Sequence, residues 1–234
     1  NIAELASNGA HEGTFRYEIG DRNLKPETSL QIDAGFLFDT KHISFEFGAF
    51  QNTIKNYIFS QKLNSISGGD SLIFDSGDSL AVFQFVQGNA NLLGGEITID
   101  IHPHPFDWLH FENSFSFVQG VQNNQPDSTK FLPFMPAPKF QSELRAQFKK
   151  AGKALRNFYV NVELDYFFEQ NQFYSAYGTE TKTPSYSLLN AGIGSDVVNK
   201  KGSTLFSIYF SATNILDVAY QSHLSRLKYA PENL

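Results

Sequence analysis

Between Phe140 and Phe148 the chain alternates. Phe140, Ser142, Leu144, Ala146 and Phe148 fall on one face, and Gln141, Glu143, Arg145 and Gln147 fall on the other. A period of two predicts a strand with one apolar and one polar side. The next run repeats the pattern, with Phe158, Val160, Val162, Leu164, Tyr166 and Phe168 opposed by Tyr159, Asn161, Glu163 and Asp165. A short basic turn with one glycine, Lys149 to Asn157, separates the two. Further runs read the same way: Thr14 to Ile19, Leu30 to Phe38, Ile43 to Phe50, Ala81 to Ile101, Leu109 to Phe117, Tyr186 to Ser195 and Thr204 to Ala212. Helical periodicity is weak throughout. The pattern predicts an all-β chain, an antiparallel up-and-down meander of about nine long strands.

The connections carry a second signal. Those near Asp39 to Lys41, Pro103 to Asp107, Lys150 to Lys153 and Asn199 to Gly202 are short. Those from Asn56 to Ser79, Gln119 to Pro138, Glu169 to Pro184 and after Thr213 are long. In a meander, alternate connections lie at the same end, so one end of the sheet has tight turns and the other has long loops.

An alternating face fits a soluble sandwich, which turns it inward, and a membrane barrel, which turns it outward. Three features favour the barrel. The apolar-face segments are about 9–11 residues or longer, the length a tilted strand needs to cross a bilayer. The turn lengths are asymmetric. Aromatic residues gather at strand ends, with Trp108, Tyr166, Phe168, Tyr186 and Tyr209 as candidate interface girdles. The mean hydropathy of −0.29 agrees, because only every second residue would touch lipid. In hydrocarbon every backbone polar group needs a partner, so such a sheet must close. Nine strands are odd and bacterial barrels are even, so the expected barrel is incomplete, with a strand missing after Thr213.

Composition narrows the alternatives. The chain has 24 Phe, 10 Tyr and no Cys, which excludes a disulfide scaffold, a thiolate metal site and a cysteine enzyme. Hydrophobic residues at 41% exclude a disordered tail, and the formal charge of −6, with no basic stripe, argues against a nucleic-acid partner. The start Asn1–Ile2–Ala3–Glu4 has neither the initiating Met nor the profile of a signal peptide, and no run is apolar enough for a membrane helix. Both ends look cut, and a piece of a larger protein is expected.

Several segments are similar to one family. Glu4 to Thr14 followed by Asn23–Leu24–Lys25–Pro26–Glu27 resembles the mid-barrel region of TonB-dependent outer-membrane receptors, the Bacteroidetes type in particular. Gly88 to Glu96 is similar to their strand with a small-residue kink, and Leu132 to Pro138 to their proline-rich approach to a late strand. Thr213–Asn214–Ile215–Leu216–Asp217 with Tyr220, His223, Leu224, Ser225 and Arg226 resembles their near-terminal signature and is the most specific match. The resemblance covers essentially the whole chain. It implies part of a 22-stranded barrel over residues 1–234, without plug domain, energy-coupling box or final strand. It further implies a Gram-negative outer-membrane location and TonB-dependent uptake of a scarce nutrient, a ferric siderophore or other iron complex. The implied partners are outer-membrane lipid, the parent's plug and TonB complex, and a small-molecule metal chelate. Open sheet edges predict that an isolated piece dimerises or swaps.

The expected lipid-facing residues are Phe140, Leu144, Phe148, Phe158, Val160, Val162, Leu164 and Tyr166; the expected lumen-facing set is Gln141, Glu143, Arg145, Asn161, Glu163 and Asp165. The aromatic loop Phe173–Tyr174–Ser175–Ala176–Tyr177–Gly178 offers Phe173, Tyr174 and Tyr177 as contacts for a flat, partly apolar ligand. No resident cofactor is expected. His102–Pro103–His104 has two imidazoles, yet a proline-directed turn explains it and no metal site is assigned. Glu163 and Asp165 are read as a hydrated wall paired with Arg145 or a plug, and not as an acid–base pair. Gly192–Ile193–Gly194 lacks the context of a phosphate loop and marks close packing, while Gly68–Gly69–Asp70 and Ser76–Gly77–Asp78 are loop tips. No nucleophile-and-base motif points to an enzyme. The competing reading is a soluble all-β ligand- or sugar-binding module.

Overall fold

The computed structural model describes residues 2–11, 15–75, 77–178 and 180–225. The expected strand start at Thr14, the Glu12–Gly13–Thr14 part of the first motif, Ser76, Arg226 and the last residues 227–234 lie outside them.

A short helix, α1 (Ile2–Ala6), precedes the hairpin β1 (Asn8–His11) and β2 (Arg16–Ile19). Then come β3 (Thr28–Asp39), β4 (Ile43–Lys62), β5 (Leu72–Asp75), β6 (Asp78–Ile101), β7 (Leu109–Gln122), β8 (Lys139–Ala151), β9 (Leu155–Phe167), β10 (Tyr186–Val198) and β11 (Thr204–Ala212). The wall is the antiparallel series β3–β4–β6–β7–β8–β9–β10–β11, each strand paired with the next. It has eight long strands among the described residues, not nine. The segment expected as the first member supplies β2 instead, which pairs parallel with β6 beside the upper part of that strand.

Short and long connections alternate as the sequence predicts. Residues 40–42, 102–108, 152–154 and 199–203 close one end, with Gly152 and Gly202 at φ +71° and +86° where a side chain would be strained. The described residues of the connections from β4 to β6, which include β5, from β7 to β8 and from β9 to β10 lie at the other end. β4 runs further than its alternation suggests, to Lys62. A bulge with Asn56 at φ +58° resets its register on β6 between Ile54 and Tyr57, which breaks the period-2 pattern without ending the strand. β6 is also unbroken through Gly88 to Glu96. Its small residues serve another purpose: Gly94 lies under the ring of Phe50, and Gly95 faces the Gly48 carbonyl and the Phe117 ring.

The faces are unequal, and neither is covered by a second sheet among the described residues. On the apolar side Leu144 is 49% exposed, Val162 46% and Phe210 65%. The buried apolar residues Leu80, Val82, Phe83, Leu132 and Tyr174 sit on β6 or in the long connections. Most of the buried apolar residues are therefore toward the long-loop end, while Ala90 lies in the middle of β6 and Val198 at the tight-turn end of β10. A soluble sandwich would bury its alternating rows between two layers; this single layer does not.

Candidate functional site

Cross-strand register decides which side chains share a face, because directly opposed residues point the same way. Phe140 pairs with Tyr166, Leu144 with Val162, Ala146 with Val160 and Phe148 with Phe158. Gln141 pairs with Asp165, Glu143 with Glu163 and Arg145 with Asn161. The two sets separated by alternation thus lie on opposite faces of β8 and β9. The apolar face extends through Ile193 to Ile208 and Phe210 on β11.

Aromatic residues bracket that face. At the tight-turn end Trp108 stacks on Phe148 with ring centres 5.2 Å apart, and Phe148 on Phe158 at 6.4 Å. At the other end Tyr166 and Phe168 meet edge-on at 4.7 Å, and Phe115 meets Phe168 at 5.8 Å. The girdle assignment needs correcting for two residues. Tyr209 opposes Gly194, which in turn opposes Tyr159, so Tyr209 is on the polar face. Tyr186 opposes Phe167 and stacks on it at 4.6 Å, on the same polar face. Gly194 is small for a reason: a methyl group there would come within 2.6 Å of both Tyr159 and Tyr209.

The polar face is a hydrogen-bonded lattice. Gln141 donates to Glu163 at 2.6 Å, Asn161 to Glu143 at 2.8 Å, and Asn190 to Glu163 and Asp165 at 3.0 and 3.1 Å. Lys139 Nζ is 2.7 Å from Asp165 Oδ1. Arg145 does not pair with Glu163 or Asp165 as expected. Its guanidinium lies 4.0 Å from the centre of the Tyr159 ring and 4.0 Å from Glu143 on its own strand, because the register sets Asn161 opposite it. A groove of about 610 Å³ runs across this face, past Gly35, Gly48, Glu96, Ser116, Lys139 and Phe167. Glycines on two adjacent strands open it, since neither raises a side chain.

The long connections interlock above the groove. Glu180 accepts N–H bonds from Phe134 and, at 3.1 Å, from Tyr174. His223 Nε2 lies 3.7 Å from the same carboxylate, and its Nδ1 is 2.9 Å from Thr183 Oγ1. Burial holds the His223 imidazole below its usual pKa, with Glu180 pulling it back up. Gln170 donates to the carbonyls of Met135 and Pro136, and Ala176 N–H to Ser128. Three connections are thereby tied together.

The aromatic candidates are part of this knot. Tyr174 is 7% exposed, and burial pushes its hydroxyl pKa up. Tyr177 holds φ +67°, a strained conformation for a bulky residue. Its hydroxyl accepts the Lys62 N–H at 2.6 Å, and its ring meets Phe83 edge-on at 4.9 Å. Phe173 lies 6.3 Å from the His223 ring. Sequence reasoning missed Glu180 and Lys62, for neither belongs to a motif. It also singled out His102 with His104, whereas the structure sets His102 beside His110 and His104 beside His42.

A family model described as "TonB dependent receptor-like, beta-barrel" matches residues 1–215. Among solved structures, the chain is similar to a copper transporter named OprC, with TM-score 0.69 and 13% identity over 100% of this chain and 33% of that one. It is also similar to the FrpB iron transporter from Neisseria meningitidis, with TM-score 0.61 and 14% identity over 92% of this chain and 30% of that one. A third is the ferric enterobactin receptor PfeA from Pseudomonas aeruginosa, with TM-score 0.57 and 18% identity over 94% and 31%. At these identities the likeness speaks for the fold. The chain spans about a third of the length of the structures it matches.

Proposed function

Since this chain belongs to the TonB-dependent receptor β-barrel family, we propose that it forms wall and outer loops of a receptor that imports a ferric siderophore or other iron complex. Proteins of this family are receptors and transporters of the Gram-negative outer membrane rather than enzymes, and this segment resides there. The family match over residues 1–215 is the observation that carries the reading. The names of the neighbouring structures support a metal complex as cargo, and iron in two of the three.

In this reading the apolar face, with Phe140, Leu144, Phe148, Phe158, Val160, Val162, Leu164 and Tyr166, meets lipid. The polar face, with Gln141, Glu143, Arg145, Asn161, Glu163 and Asp165, lines a wet lumen occupied by a plug. The long connections are extracellular, and the loop of Phe173, Tyr174 and Tyr177 borders the ligand's entry, its rings holding the loop's shape. Uptake draws energy from a TonB complex acting on the plug. In iron-limited cells, deleting the gene abolishes accumulation of one radiolabelled ferric chelate, and restoring it recovers accumulation. Unchanged accumulation of every ferric chelate in the deletion strain would overturn the iron reading.

A further inference from the structure

Four of the six histidines gather at the tight-turn end of the sheet: His42 between β3 and β4, His102 and His104 between β6 and β7, and His110 on β7. Two of them converge on one carboxylate. Asp100 Oδ2 is 3.0 Å from His110 Nδ1 and 3.4 Å from His102 Nδ1. The ring centres of His102 and His110 are 5.2 Å apart, and one donor atom from each of the three residues lies within 4.8 Å of the others.

We propose that Asp100, His102 and His110 bind one divalent transition-metal ion of the zinc or copper class. Ligand atoms about 2 Å from a tetrahedral ion stand roughly 3.3 Å from one another, and the two separations measured to Asp100 bracket that spacing. Two imidazoles and a carboxylate are a donor set for zinc and copper, and a poor one for calcium or magnesium, which take oxygen ligands. The cluster as it stands is under-satisfied. Asp100 Oδ1 and His102 Nδ1 are shut off from water and neither has a hydrogen-bond partner. Buried polar atoms are nearly always paired, and an ion is one of the standard explanations when they are not. A hydrogen-bonded turn alone would explain His110, which reaches Asp100, but not His102 aimed at the same carboxylate.

The surroundings favour a cation. Asp100 pairs across the strands with Glu112, Glu112 with Glu143, and Glu143 with Glu163, so a row of carboxylates runs along the polar face from the site. The ion would join the end of β6 to the start of β7 across the connection 102–108, leaving its remaining position to water or to a group from whatever fills the polar side. The site stands on side-chain geometry alone and is independent of the molecule the receptor imports.

The test uses the full receptor, purified in detergent and stripped with a chelator. Equilibrium dialysis against Zn²⁺ should show a bound equivalent in the wild type. His102→Gln and His110→Gln should each weaken it at least tenfold, with strand content by circular dichroism unchanged. With Cu²⁺, electron paramagnetic resonance should show coupling to two nitrogens in the wild type and to one in either variant. If a histidine variant does not fold, the near-isosteric Asp100→Asn takes its place and should weaken Zn²⁺ binding to the same degree. Equal stoichiometry and affinity in the wild type and the folded variants would overturn the site, as would a wild-type copper signal without nitrogen coupling.

Discussion

Leu144 and Gln141 belong to one strand and lie on opposite faces of it, so one substitution discriminates their surroundings. Replacing Leu144 or Val162 with Arg should destabilise the folded barrel by about 2–4 kcal/mol where the residue sits near midplane, while the same change at Gln141 or Asn161 should be mild. Reversible unfolding in lipid vesicles measures both, and equal costs on the two faces would refute the assignment. His223 gives a second prediction at this scale. A buried imidazole held below its usual pKa favours the neutral form in the folded state. Its contribution is therefore full above about pH 6.5, the ordinary imidazole value, and is lost as pH falls below it. Protection factors against hydrogen exchange around His223, with the intrinsic pH dependence of exchange divided out, should fall between about pH 7 and 5, and His223→Phe should flatten that response. Parity was legible wherever a run was long and clean, as at Phe140 to Phe148 and Phe158 to Phe168. It misled for Tyr186 and Tyr209, because a tyrosine suits either face and only the pairing with Phe167 and Gly194 reveals which.

At the scale of the element, strand length and aromatic placement agree. From the Phe148–Phe158 pair to the Phe140–Tyr166 pair is about 27 Å along the strand, or roughly 20 Å of height at the usual tilt, within reach of the ~25 Å apolar band of such barrels. The edge strands carry the sharpest consequence. Among the described residues β3 pairs only with β4 and β11 only with β10, and every residue of both is exposed. An unpaired, apolar edge invites another strand. The chain expressed by itself should associate through β3 or β11, and a sharply monomeric species by light scattering without detergent would contradict that. The turns and most strand positions were readable from alternation and glycine. The upper half of β4 and the docking of β2 on β6 were not. The first hides behind a bulge at Asn56, and the second is a long-range pairing that leaves no periodic trace.

Among the described residues the molecule is a single sheet with most of its buried apolar residues toward its long connections. That distribution makes sense when a bilayer and a filled lumen supply the missing layers. The cluster of Asp100, His102 and His110 proposed to bind a metal was only half visible in the sequence. The His102–Pro103–His104 spacing drew attention to the region, but the partners came from register and not from spacing. The central claim is that the apolar rows face lipid. This chain contains no cysteine, so single cysteines placed along β8 and β9 are the only thiols it contributes, and they can be spin-labelled in a receptor whose other cysteines are replaced, reconstituted into lipid. Labels at positions 144 and 162 should relax with dissolved oxygen and resist a water-soluble nickel chelate, while labels at 141 and 161 should do the reverse. Accessibility that fails to alternate, or alternates with the opposite parity, would contradict the account.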